Sequence, residues 1–177
     1  STDNASFTIS GSTLKTAASL NFEAKTEYAI RVRTTDGNGL SIERTFTVSV
    51  TNVNERPTAV SLSTLSFPEN ATIGTVVGTF TTTDVDAGDT FTYTLLTGLG
   101  TADNAFFTID GNQLKTAATF DFETKRSYTI RLRSTDAGGL STDQALAIGV
   151  TDVNEGPTAV ALSSVVSVLA ENTSTTS

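Results

Sequence analysis

The chain repeats itself, and the length of the repeat limits the fold more than any other feature. "FTISGSTLKTAASLNFEAKTEYAIRVRTTDGNGLS" begins at Phe7, and "FTIDGNQLKTAATFDFETKRSYTIRLRSTDAGGLS" begins at Phe107, an offset of 100 residues. "VTNVNERPTAVSLS" at 50–63 returns at the same offset as "VTDVNEGPTAVALS" at 150–163. Residues 1–56 and 101–156 align without a gap, and about half of the positions are identical. Solenoid repeats run about 20–50 residues, so a unit of about 100 is a domain in its own right. The expected division is a C-terminal half-unit at 1–56, a complete unit at 57–156, and the first strand of a following unit at 157–177. In that last segment "LAEN" (169–172) echoes "FPEN" (67–70). With no starting Met or signal segment, the chain is expected to be an excerpt of a longer array or a mature product.

Each unit reads as all β. "AVSLSTLSF" (59–67), "GTVVGTF" (74–80), "FTYTLL" (91–96), "FFTID" (106–110), "QLKTA" (113–117), "YTIRLRS" (128–134) and "ALAIGVTDV" (145–153) are short runs rich in β-branched and aromatic residues, separated by turn residues. In "YTIRLRS", Tyr128, Ile130 and Leu132 alternate with Thr129, Arg131 and Arg133, the period of a half-buried strand. "DGN" (110–112) is a hairpin signal. Seven such strands in about 100 residues predict a seven-stranded immunoglobulin-like β-sandwich, without the Cys…Trp…Cys pattern of true immunoglobulin domains.

Composition removes whole classes of chemistry. Cys and His are both absent, so disulfides, Cys/His zinc sites and histidine general bases are excluded. The net charge of -8 opposes nucleic-acid binding, which needs Lys and Arg against phosphate. No apolar run approaches the ~18–20 residues that span a bilayer, so no membrane insertion is expected. Lys115 and Lys125 read as solitary solvated cations. Phe91, Phe106, Phe107, Phe120, Phe122 and Tyr128 read as core or strand-face aromatics. "NAS" (4–6), "NAT" (70–72) and "NTS" (172–174) fit a glycosylation acceptor pattern that Ser/Thr-rich chains produce often by chance.

Acidic groups gather at predicted strand ends: Glu69 in "FPEN", Asp84 and Asp86 in "DVDAGD", Asp121 and Glu123 in "DFE", Asp136 in "TDAGG", and Asp152, Asn154 and Glu155 in "DVNEGP". Oxygen-only clusters suit a hard divalent cation such as calcium, although Asp and Asn also favour turns without any ion. "DVDAGD" is not an EF-hand loop. The twelfth residue from Asp84 is Leu95, where that loop needs a bidentate acid, and a strand follows instead of a helix.

Taken in order, these motifs resemble the cadherin family in its bacterial tandem-repeat form. The matching pieces are "PEN", the "DxD" of "DVDAGD", "DFE", "TDAGG", and "DVNEGP", which is close to the family's "DxNDNxP". The resemblance covers the whole chain. It implies a rod of β-sandwiches with Ca2+ at each junction, held by the base of one unit, the linker and the top of the next. Carried over residue by residue, the junction near 54 would use Glu23, Asn52, Asn54, Glu55, Asp84, Asp86 and Asp136. The junction near 154 would use Glu69, Asp121, Glu123, Asp152, Asn154 and Glu155. Departures from the family pattern are Asn21 for the Asp of "DFE", Asn52 for the linker Asp, and Glu155 where the family prefers Asp. The first two remove negative charge, on which calcium affinity depends.

The function so implied is a calcium-rigidified structural or adhesive repeat of a large bacterial surface or extracellular protein. Its partners would be adjacent repeats of the same protein. Two alternatives share the fold: a glycan- or protein-binding sandwich, and a filament subunit that associates head-to-tail when residues 158–169 add as a strand to the half-unit of another copy. No motif supports an enzyme.

Overall fold

The computed structural model describes residues 3–161. Among these, twelve strands and two short 3-10 turns carry the fold, so the expected all-β class is met. The complete unit holds β5 (Ala59–Leu62), β6 (Ser66–Pro68), β7 (Val76–Thr83), β8 (Thr92–Leu95), β9 (Phe107–Asp110), β10 (Gln113–Thr116), β11 (Ser127–Thr135) and β12 (Ser141–Thr151). They form two four-stranded sheets, β5-β7-β10-β9 and β6-β12-β11-β8. Before them lie β1 (Phe7–Ser10), β2 (Thr13–Thr16), β3 (Glu27–Thr35) and β4 (Ser41–Ser49).

The single first strand expected over 59–67 is two strands on opposite sheets. β5 pairs antiparallel with β7, and β6 pairs parallel with β12. The chain changes partner at Ser63–Leu65. Ser63 N–H still donates to Thr79 O at 3.0 Å, whereas Leu65 O already accepts from Gly149 N–H at 2.8 Å. Gly78 makes room for the crossing, since a Cβ there would lie 3.0 Å from the side chains of Leu62, Ser63 and Thr64.

β11 behaves as its alternation predicts. Tyr128, Ile130, Leu132 and Ser134 are buried, and Arg133 points outward onto its cross-strand partner Asp143 at 2.7 and 3.0 Å. Between the sheets, Phe67, Phe107, Phe120 and Tyr128 pack ring against ring, with centroids 4.7–6.2 Å apart. Leu114, Ile130, Leu132 and Ile148 are fully enclosed with them. Each such side chain contributes roughly 1.5–3 kcal/mol by leaving water.

The two presumed solitary lysines are paired. Lys115 meets Asp110 at 2.6 Å, and Lys125 meets Asp103 at 2.5 Å while lying over the Tyr128 ring. Asp103 also accepts from Thr129 N–H at 2.8 Å, and its neighbour Asn104 accepts from Arg131 N–H at 2.9 Å, which clamps the 3-10 turn Ala102–Phe106 onto β11. Asp3, Asn4, Lys25, Ala29 and Arg31 repeat the clamp 100 residues earlier.

The registers of β1–β2 and β3–β4 also repeat those of β9–β10 and β11–β12 at that offset, Phe7↔Thr16 against Phe107↔Thr116, and Arg33↔Glu43 against Arg133↔Asp143. Burial does not repeat. Leu14 is 40% exposed and Leu114 0%, because Leu114 sits in a four-stranded sheet that packs on the four strands β6-β12-β11-β8, whereas β1-β2 and β3-β4 are two-stranded sheets. Thr158–Ala161 carry no strand, and the rest of the segment 157–177, with "LAEN" and "NTS", lies outside the described residues.

Candidate metal centre

Among the described residues, carboxylates gather in three clusters at the two poles of the complete unit. The poles are separated by β11, whose nine residues span about 30 Å. At one pole, the loop between β7 and β8 turns back on itself as Asp84 Oδ1 accepts the Asp86 N–H at 3.2 Å. Asp86 is thereby buried, and its two oxygens take the linker: Asn52 Nδ2 donates to one and Glu55 N–H to the other, both at 2.8 Å. In the β11–β12 loop, Asp136 is also buried. It accepts from Leu140 N–H at 2.8 Å and from Asn54 Nδ2 at 3.1 Å. Asn54 can approach only because residue 138 is glycine, where a Cβ would stand 2.4 Å from its amide.

Glu23, Glu55 and Asp86 bring carboxylate oxygens within 4.8 Å of one another, and so do Asp84, Asp89 and Asp136. Every residue assigned to the junction near 54 is therefore either in one of these groups or hydrogen-bonded to a member. Asp89 is the addition. It is the last acid of "DVDAGD", and a reading that stopped at the "DxD" spacing passed over it.

At the opposite pole, Glu69, Glu123, Asp152 and Glu155 meet within the same 4.8 Å. Glu69 is buried and accepts from Phe122 N–H at 2.7 Å and Val153 N–H at 2.8 Å, joining the "DFE" loop to the linker. Asn70, in the left-handed region at φ 56°, reaches Glu155 Oε1 at 2.9 Å. Asp121 lines the same cleft, with its oxygens on Thr124 N–H and Oγ1 at 3.0 and 2.8 Å. Asn21 makes the equivalent turn bond to Ala24 N–H at 2.8 Å, so the exchange keeps the turn and drops the charge. Asn154 is exposed in the linker.

The electrostatics are those of crowded anions. Loss of hydration, then the charges of Glu23, Asp86 and Asp84, push the Glu55 carboxyl above its usual range. Asp89 is raised by lost hydration and by Asp86, Asp136 and Asp84. A backbone hydrogen bond holds Glu123 down, but lost hydration and the charges of Glu69, Glu155 and Asp152 outweigh it. Asp86 is lowered instead, by the Asn52 amide and then the Glu55 N–H, and Asp121 by its hydrogen bonds from the Thr124 hydroxyl and N–H. Among the described residues, the acids that pair with Lys or Arg are Asp3, Glu43, Asp103, Asp110 and Asp143, none of them in these groups.

The residues fit a hard cation. Asp84 Oδ2 and Asp89 Oδ2 are buried with no hydrogen-bond partner, a costly state for a carboxylate unless positive charge meets it. Oxygens on opposite sides of one calcium lie about 5 Å apart, and the oxygens of each group, all within 4.8 Å of one another, are close enough to share one ion.

The family model for the cadherin domain matches residues 63–151. Mouse Protocadherin Fat 2 is 34% identical over 151 residues, covering 78% of this chain and 3% of its own length. Human Protocadherin gamma-A9 is 31% identical over 168 residues, covering 90% of this chain and 18% of its own. Among solved structures, human Protocadherin-24 EC1-2 superposes with a TM-score of 0.69 at 22% identity, covering 87% of this chain and 80% of that one. The chain thus spans a small part of the curated relatives it matches.

Proposed function

The chain belongs to the cadherin family, and on that premise we propose that it is a calcium-rigidified adhesive or spacer repeat of a large extracellular protein. Cadherin domains bind calcium as a class. One observation carries the reading here: the carboxylates lie where linker meets sandwich, unpaired with Lys or Arg, and two of their oxygens are buried without a partner.

We assign the units as 1–56, 57–156 and 157–177, with adjacent repeats as the immediate partners. At the junction near 54, Glu23 belongs to the preceding unit, Asn52, Asn54 and Glu55 to the linker, and Asp84, Asp86, Asp89 and Asp136 to the following unit. Bound calcium would supply positive charge that oxygens from both units share. In its absence these side chains repel one another, and the Asn52 and Asn54 amides hold the linker by neutral donors alone. Glu69, Asp121, Glu123, Asp152, Asn154 and Glu155 form the corresponding set near 154. The assignment to a bacterial surface protein rests on the motif resemblance alone, while the near-copying of neighbouring units favours a spacer; the relatives named above are from mouse and human. An adhesion-type repeat of this kind is not an enzyme.

Calorimetry of the whole chain in EDTA, magnesium and several millimolar calcium tests the reading. Extracellular modules bind calcium at about 0.1–1 mM, so about 5 mM calcium stabilises the native state by about 1–2.3 kcal/mol per site. The expected result is a transition raised by calcium and not by magnesium. Identical transitions in all three would overturn it.

A further inference from the structure

We propose that Asp89 is a direct ligand of the ion at the junction near residue 54, replacing charge that this linker lacks. The inference rests on the calcium reading and adds to it the last acid of "DVDAGD", beyond the "DxD" pair. Asp89 follows Gly88, whose φ of 90° lies in the left-handed region and turns the β7–β8 loop back toward Asp84. The turn leaves the Asp89 carboxylate within 4.8 Å of those of Asp84 and Asp136.

A turn-forming Asp ordinarily spends its oxygens on nearby N–H groups. Asp136 does so on Leu140, and Asp121 on Thr124. Asp89 differs: its Oδ2 is buried without a hydrogen-bond partner, as is the Oδ2 of Asp84 beside it. Two orphaned anionic oxygens facing a third carboxylate are unfavourable unless a cation joins them. The linkers of the two junctions differ in the matching sense. Position 152 is Asp, whereas position 52 is Asn, whose Nδ2 donates to Asp86 at 2.8 Å. Asp89 adds a negative charge at the same junction, in the group it forms with Asp84 and Asp136.

The test compares the whole chain with Asp89→Asn, and with Asp110→Asn as a surface control, by calcium titration calorimetry and by thermal unfolding in EDTA. The expected result for Asp89→Asn is calcium affinity at one class of site weaker by about tenfold or more, with stability in EDTA equal to or above wild type because a repulsion is removed. Asp110→Asn should leave calcium affinity unchanged. A wild-type chain that binds calcium while Asp89→Asn binds it equally tightly overturns the role of Asp89 and leaves the calcium reading intact. So does an Asp89→Asn chain that loses the same stability with and without calcium, since that is the signature of a turn residue. A wild-type chain that takes up no calcium overturns the calcium reading, and the role of Asp89 with it.

Discussion

Individual side chains divide into those that hold the sandwich and those that meet at its poles, and acid distinguishes the two. Loss of hydration pushes the Asp103 carboxyl up, but the Lys125 and Thr129 hydrogen bonds and then the Lys125 charge more than offset it, leaving it below its ordinary 3.8. A lowered carboxyl contributes stability that is present above 3.8 and is lost as pH falls through the lower folded value. Asp103→Asn should therefore cost about 1 kcal/mol at neutral pH, with the gap to wild type narrowing in urea titrations as pH falls below 3.8. A gap that does not change with pH would assign the cost to packing. Gly138 tests the other kind of residue. Gly138→Ala places a Cβ 2.4 Å from the Asn54 amide, so it should displace the linker while leaving the core of the sandwich intact. The expected readout is weaker calcium binding, with near-UV and far-UV circular dichroism unchanged. Retained calcium affinity would show that Asn54 is dispensable at the junction. At this scale the sequence was most legible where motif and position coincide, as at Glu69, Asp86 and Asp136. The grouping of Asp89 with Asp84 and Asp136 was not legible, because the spacing "DxD" ends before it and the turn at Gly88 brings it back.

The elements show how far local pattern reaches. Alternation along β11 was readable, as was the two-residue hairpin between β9 and β10, where Gly111 has φ 59°. The break between β5 and β6 was not. Residues 59–67 read as one β-rich run, and the change of sheet is imposed by hydrogen bonds from Thr79 and Gly149, distant in sequence. Repeat symmetry gives an internal control on packing. Leu114→Ala, at a fully enclosed site, should cost about 2–5 kcal/mol. Leu14→Ala, at the equivalent position with 40% exposure, should cost under about 1 kcal/mol. Chemical denaturation of both variants checks the contrast. Equal losses would mean that the face of β2 is covered in solution, by association of copies or otherwise, and sedimentation would then separate those cases.

For the whole molecule, the proposed function ties the acidic poles to the 100-residue period: sandwiches of fixed shape would be joined by linkers that an ion stiffens. The period and fold class were legible because an internal repeat reports domain length directly. The pairing of Glu23 with Glu55 and Asp86 was carried by family resemblance, since no local rule places three carboxylates from three segments within 4.8 Å. The central claim concerns the angle between units, and the absence of cysteine from the chain makes a direct test clean. Spin labels at Thr47→Cys in β4 and Thr81→Cys in β7 are both on exposed positions and straddle the junction. Pulsed dipolar spectroscopy should give a broad distance distribution in EDTA and a single narrow one in millimolar calcium, with magnesium leaving it broad. A distribution of the same width in all three conditions would contradict the account.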